Sequence, residues 1–378
     1  MEIIGILIGL IVLIVLVVVH ELAHAWVAIK NGVVIKEFGI GLPPQAWKKK
    51  LKNGVLLTLN WLPVGGFVRM KGEYDAADKK GDYGAASFWQ KTRILLAGVA
   101  ANWLFAALIF TILALVGLPK ILPNQFEFTG DSTEITKPVV LTSLTKDYPA
   151  EKAGLKAGDS IIRFAGADVA TTDNLMKLIS ENKNKQVPVV YSRDGTESSL
   201  NVTLGETLSG GTLGAGLGQS VLTKSTWSAP IVGVVVTAQF TVETLNGLGS
   251  LVSNLFTGMF QQLNPDKNVR DQASANLQKA GDSVAGPIGI LGTIFPAASS
   301  AGLPSLLFLT AIISLTLAVM NILPIPALDG GRWLTMALFK VSKKSLTYER
   351  EEKIQAIGFY ILMGLIILVT ITDVAKIF

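Results

Sequence analysis

The chain has no cysteine among its 378 residues and only two histidines, and just 16% of its residues carry charge. The missing thiols exclude disulfides and thiolate ligands, so a transition metal would have to be held by His, Asp or Glu. Half of the residues are hydrophobic and the mean hydropathy is +0.48, which excludes a single soluble core. Such a composition describes an integral membrane protein that carries soluble parts. The formal charge of +5 is modest, and no basic patch interleaved with aromatics stands out, so nucleic acid is not an expected partner. The basic residues instead gather beside apolar runs, where they report membrane topology.

Both histidines fall in one place. Ile3 to Val19 contains no charge, and His20-Glu21-Leu22-Ala23-His24 follows directly. Side chains four residues apart share a helix face, so both imidazoles can reach one ion. In an H-E-x-x-H pattern the histidines hold zinc and the glutamate takes a proton from the water that attacks an amide. A glutamate and two imidazoles at the end of an apolar span are costly without partners, which favours the metal over a chance match. A signal peptide cut near Ala23-His24-Ala25 is the other reading, but only Met1 and Glu2 precede the run, neither of them basic, and the run is too long.

Taken in order, residues 1–30 are expected to form the first transmembrane helix, and 31–93 a region of short strands punctuated by Gly and Pro. Lys48, Lys49, Lys50 and Lys52, followed by Arg69, Lys71, Lys79, Lys80, Lys91 and Arg93, place that region on the cytoplasmic side. It is either a cap that shields the zinc or an exposed strand edge that pairs with unwound substrate, because a helix in lipid has no free amides to offer. Residues 94–118 form a second span with Gly98 and Asn102 on one face. Packing explains that pair; alternatively, Asn102 holds substrate backbone or the oxyanion at the metal. Residues 124–222 have soluble composition, and Gly154-Leu155-Lys156-Ala157-Gly158-Asp159-Ser160-Ile161 resembles the core of a bacterial protease-type PDZ domain, which binds peptide ends or strands by edge addition. A structural plug over the membrane part is the plainer alternative.

Residues 223–302 are expected to be a membrane-associated helix and linker, 303–324 a third span, 325–353 a loop, and 354–376 a fourth span. A zinc held by two imidazoles lacks a third protein ligand, and Asp329, after Asn321-Ile322-Leu323-Pro324-Ile325-Pro326-Ala327-Leu328, is a carboxylate in need of a partner. For Asp329 to meet His20 and His24 at the cytoplasmic leaflet, Ser228 to Asn264 must not cross once. It should lie along the surface or dip in and return.

With His20-Glu21-x-x-His24, a PDZ-like insertion, Gly286-Pro287-Ile288-Gly289 and Asn321-x-x-Pro324-x-Pro326-x-Leu328-Asp329-Gly330, nearly the whole chain resembles the site-2 protease family of intramembrane zinc metalloproteases. It looks closest to bacterial members that cleave anti-sigma factors. The resemblance implies a polytopic α-helical fold of about four transmembrane helices with a cytoplasmic-side β-loop and an inserted PDZ domain, lodged in a bacterial inner membrane. It implies Zn2+ bound by His20, His24 and Asp329, and Glu21 as general base. It further implies that Asn321 helps hold the substrate strand and that the β-loop around Gly54 to Met70, with Gly65, Gly66 and Phe67, receives it. The partners implied are a single-span membrane protein, the lipid bilayer and a peptide or protein ligand of the extracytoplasmic PDZ domain. Two features depart from the pattern: one PDZ domain stands where proteobacterial members carry two, and Val99 follows Gly98 where many relatives have Pro. The rival readings are a non-catalytic PDZ scaffold with a structural metal, in which Glu21 would be dispensable, and a metal transporter, which would spread polar residues over many spans.

Overall fold

The computed structural model describes residues 2–377 apart from Asp75, Asp194, 206–211 and 283–284. The chain divides into two compact units, one comprising Met1–Leu113 with Ala229–Phe378 and the other Ala114–Ser228.

The first unit begins with helix α1 (Glu2–Lys30), an unbroken apolar run that reaches H-E-x-x-H in its second half. Strands β1 (Ile35–Lys50) and β2 (Leu56–Met70) follow and fold back on each other. The register pairs Glu37–Ile40 on both sides, with Gly66–Arg69 on one and Leu56–Leu59 on the other, while Trp47–Lys50 extends outward against Leu56–Leu59. Helix α2 (Phe88–Val116) starts six residues before the expected span. Its start is set by a capping box: Ser87 N–H donates to Gln90 Oε1 at 2.8 Å, and Gln90 N–H donates to Ser87 Oγ at 3.3 Å.

The second unit contains β3 (Leu118–Pro119), β4 (Thr133–Thr136), β5 (Val139–Leu144), α3 (Pro149–Lys152), β6 (Ser160–Phe164), β7 (Ala167–Asp168), α4 (Thr172–Glu181), β8 (Gln186–Arg193), β9 (Thr196–Thr203), β10 (Ala215–Gly218) and β11 (Val221–Lys224). Its main sheet runs β10-β5-β6-β8-β9, with β7 beside β6, and all its pairs are antiparallel. The core beneath it gathers Val139 and Leu141 from alternate positions of β5, Ile161, Phe164, Val189 and Val202 from β6, β8 and β9, and Leu175 from α4. Helix α4 begins where Thr171 Oγ1 accepts from Asn174 N–H.

Asp159, almost wholly buried, is gripped by Arg193 through Nε to Oδ1 and Nη2 to Oδ2, both at 2.7 Å. Burial pushes this carboxyl up, but the Arg193 hydrogen bonds and the Lys156 N–H outweigh it and hold the group below the usual carboxylate range. The pair therefore stabilises this unit fully above the unfolded pKa of about 4, and its contribution fades as pH falls through the folded value. Asp159→Asn is expected to cost about 2–4 kcal/mol at neutral pH, since it leaves the guanidinium without its bidentate partner. Pulse proteolysis of the full chain at pH 7 and near pH 3 reads this, with the difference between variant and parent shrinking in acid.

The rest of the first unit is α5 (Ala229–Gln261), α6 (Lys267–Asp282), α7 (Pro287–Gly289), a π turn over Ile290–Ile294, α8 (Phe295–Ser300), α9 (Leu303–Ile322), α10 (Asp329–Val341) and α11 (Tyr348–Ile377). Three expectations change here. Ser228 to Asn264 does not dip and return: it contains one continuous helix of 33 residues. The first half of that helix packs against α2 and α9, with the rings of Phe110 and Phe240 stacked at 5.4 Å, Phe308 edge-on to both, and Trp103 Nε1 donating to Thr241 Oγ1 at 3.1 Å. Among the described residues α1, α2, α5, α9 and α11 are long and apolar enough to cross a membrane, one more than the four expected. The segment after Leu328, expected as a loop, opens helix α10 with Asp329 in its first turn.

Candidate metal centre

Two elements far apart in sequence, α1 and α10, bring His20, His24 and Asp329 together. The Nε2 atoms of the two histidines lie 3.1 Å apart, and Asp329 Oδ2 is 3.2 Å from each. A tetrahedral zinc with bonds of about 2.0–2.1 Å sets its donors about 3.3 Å apart, so this triangle fits the ion. The chemistry of the donors agrees. Asp329 Oδ2 is buried with no hydrogen-bond donor, and three lone-pair atoms converging on one point repel each other unless a cation lies between them.

One stripe of α2 holds the imidazoles. His24 Nδ1 lies 2.7 Å from the Ile94 carbonyl, which accepts its proton and leaves Nε2 free as a ligand. One turn on, a methyl at position 98 would collide with His24 Nε2 and the His20 ring, so only glycine lets α2 approach and leaves a cradle at the donor atoms. One turn further, the Asn102 amide sits 3.4 Å from His20 Nδ1, and its oxygen is buried without a donor. Turning the amide over sets that oxygen opposite the Nδ1 proton and satisfies both groups. Asn102 thus meets His20 on the side away from Nε2.

The remaining candidates sit differently. Gly66 packs on α1: a Cβ there would touch Val17 Cγ1 at 2.8 Å and Glu21 Cγ at 3.4 Å. Glu21 therefore faces the Gly65–Phe67 stretch of β2, and the backbone of Val68 hydrogen-bonds its carboxylate. Among the described residues no further strand pairs with Gly66–Met70, so on the side away from β1 that edge has no strand neighbour, and Val68 meets Glu21 there. Asn321 donates to Leu317 O at 3.0 Å within its own helix and does not join the donor cluster.

A cluster that the sequence did not announce secures Asp329. Arg332, one turn along α10, reaches Glu351 Oε1 at 3.2 Å, the Glu73 carboxylate at 3.6 Å and the Glu73 carbonyl, and lies over the Tyr83 ring at 4.7 Å. Trp333 Nε1 donates to Thr92 Oγ1 at 3.1 Å. α10 is thereby tied to α2, to α11 and to the loop after β2. A cleft of about 510 Å3 opens beside Asp329, walled by Glu73, Tyr74, Arg332, Glu352 and Gln355.

The model of peptidase family M50 matches residues 8–365. The chain belongs to peptidase family M50. Among curated relatives, a putative zinc metalloprotease of Clostridium perfringens is 29% identical, with 95% of each chain covered. The zinc metalloprotease RasP of Geobacillus kaustophilus is 28% identical and the regulator of sigma-W protease RasP of Bacillus subtilis 25%, with 96% of each chain covered in both cases. A PDZ domain of an SdrC-like protein from Listeria monocytogenes aligns with 24% of this chain and 93% of its own at 23% identity and a TM-score of 0.20. This M50 protein is a membrane-bound zinc metalloprotease of the site-2 type.

Proposed function

We propose that His20, His24 and Asp329 are the zinc ligands, that Glu21 is the general base, and that the reaction is hydrolysis of a peptide bond within or beside a transmembrane helix of a single-span protein. The observation that carries this reading is the 3.1–3.2 Å donor triangle with Glu21 set against a free strand edge. Zinc held there would polarise the scissile carbonyl and make water acidic enough to attack at neutral pH. Glu21 takes the proton from that water and passes it to the leaving amine, so a single carboxylate serves as base and then as acid. The Gly65–Phe67 edge supplies backbone hydrogen bonds to a substrate segment that has left its helix, which lipid cannot do. Asn102 and the Ile94 carbonyl fix the imidazoles, and Asn321, in the last turn of α9, is the residue proposed to help hold the substrate strand.

The basic residues that follow α1 put the site toward the cytoplasm and the second unit outside it. That unit is a PDZ domain whose groove of about 550 Å3 runs between α4 and β10, walled by Met176, Ile179, Leu213 and Leu217. β10 is the edge of the main sheet, so an extended peptide can add beside it while Met176 and Ile179 receive its side chains. An anti-sigma factor is the substrate class proposed, by analogy with the sigma-W regulatory name of the Bacillus subtilis relative. In the scaffold alternative Glu21 would have no task, and its placement against the strand edge speaks against that alternative.

The direct test is metal removal. Purified protein treated with a chelator is expected to lose cleavage of a single-span helical substrate and to regain it with one equivalent of zinc. Cleavage that persists at full rate after metal analysis shows less than a tenth of an equivalent remaining would refute the assignment.

A further inference from the structure

The cleft beside Asp329 carries an amide donor and a carboxylate to which the fold gives no task. The amide is that of Gln355. Ala327, left-handed with φ of 78°, donates its N–H to Gln355 Oε1 at 2.6 Å, and that donor fixes which way the amide is turned. One turn along α11 the helix is pressed on the same loop, since a Cβ on Gly358 would strike the Pro326 carbonyl. Gln355 Nε2 is therefore held at the wall of the cleft, buried, and among the described residues without an acceptor. A buried donor left unsatisfied costs about 1–3 kcal/mol unless something enters to accept from it. The carboxylate is that of Glu352. Among the described residues that wall the cleft, Arg332 is the one cation, and it is already engaged by Glu351 at 3.2 Å and Glu73 at 3.6 Å. Glu352 is exposed, forms no ion pair among the described residues, and has no basic residue three or four positions away on α11.

A carboxylate in the opening turns of a helix favours its positive end. That accounts for Glu352 and not for the unsatisfied amide, which stands three residues on and so shares its face of α11. Together the two groups describe what fits the cleft: a backbone carbonyl for Nε2, and for Glu352 a cationic side chain whose methylene stem lies on Tyr74 and Phe359. A single-span protein brings both, because its flank on the cytoplasmic side is rich in Lys and Arg. The edge of β2 ends at Met70 and Glu73 follows three residues later, so a segment unwound along that edge past Glu21 continues toward the cleft. We propose that the cleft is a subsite for a Lys or Arg in the juxtamembrane flank of the substrate, with Glu352 selecting the charge and Gln355 Nε2 holding the backbone. The inference rests on the reading of the substrate as a single-span protein cut at the donor triangle, and adds a fixed point on the flank that sets which bond reaches the metal.

The test reads binding, so it does not depend on turnover. Full-length Glu21→Gln protein, loaded with zinc in uncharged dodecylmaltoside micelles, is titrated with fluorescent single-span peptides. These share one apolar segment and carry two Lys, two Gln or two Glu in the cytoplasmic flank. The Lys-flanked peptide is expected to bind about fivefold tighter than the Gln-flanked one, the size of a partly exposed ion pair, with the advantage fading at high salt. Adding Glu352→Lys is expected to reverse the order in favour of the Glu-flanked peptide, which a merely structural glutamate could not produce. Gln355→Glu keeps the acceptor for Ala327 and withdraws the donor, and is expected to weaken the uncharged Gln-flanked peptide about fivefold. Absence of binding, equal affinity for the three flanks, or an order that survives Glu352→Lys would overturn the charge selection. A Gln-flanked peptide held as tightly after Gln355→Glu would overturn the role of the amide. The unsubstituted protein is given the same peptides in parallel: failure to cut any of them counts against the peptidase reading, while the order of binding decides the subsite by itself.

Discussion

Glu21→Gln is expected to reduce cleavage of a single-span substrate by about 10²–10⁴-fold while zinc content stays at one per chain. Glutamine has the size and shape of glutamate, so the packing of residue 21 on Gly66 and Val17 survives, and neither imidazole nor Asp329 is disturbed. What disappears is the capacity to accept a proton at the point where α1 meets the free edge of β2. Turnover and metal content must be measured on the same preparation, because their separation is the result: a ligand mutant loses both, and a base mutant loses only the first. A variant that cut at the parent's rate would return Glu21 to a structural role and revive the scaffold.

Helical periodicity is what made the donor cluster legible. His20 and His24 had to share a face, and Asp329 followed from the need of two imidazoles for a third ligand. The dip and return offered for Ser228 to Asn264 fared less well. The hydroxyls of Thr237, Thr241 and Thr244 donate to the carbonyls one turn back in α5, so a segment that reads as half polar in sequence forms one continuous helix. α10 was hidden for another reason. Asp329-Gly330-Gly331 reads as a turn, yet a Cβ on Gly330 would strike the Ile322 carbonyl and one on Gly331 the Ile325 carbonyl. The glycines serve close approach of the new helix to the end of α9, not a bend. Arg332 could not be paired from sequence at all, since its partners Glu73 and Glu351 stand on other elements and only the fold selects them.

The stripe Ile94, Gly98 and Asn102 leads to the other large effect. Gly98→Ala is expected to lower zinc affinity by about 10–100-fold, the range for disturbing groups that orient metal ligands, and Gly98→Val to lower it further. A methyl there would overlap His24 Nε2, the atom that must hold the ion, so α2 has to withdraw. Withdrawal also moves the Ile94 carbonyl from His24 Nδ1 and the Asn102 amide from His20 Nδ1, because all three lie on one face of a rigid helix. Both imidazoles then lose the contacts that fix their tautomers, and the cost is shared between two ligands instead of falling on one. Competition with a chromophoric chelator reads the affinity, and circular dichroism checks that helix content is unchanged. A valine variant that bound zinc as tightly as the parent would show that the imidazoles are oriented by α1 alone, and α2 would lose its part in the site.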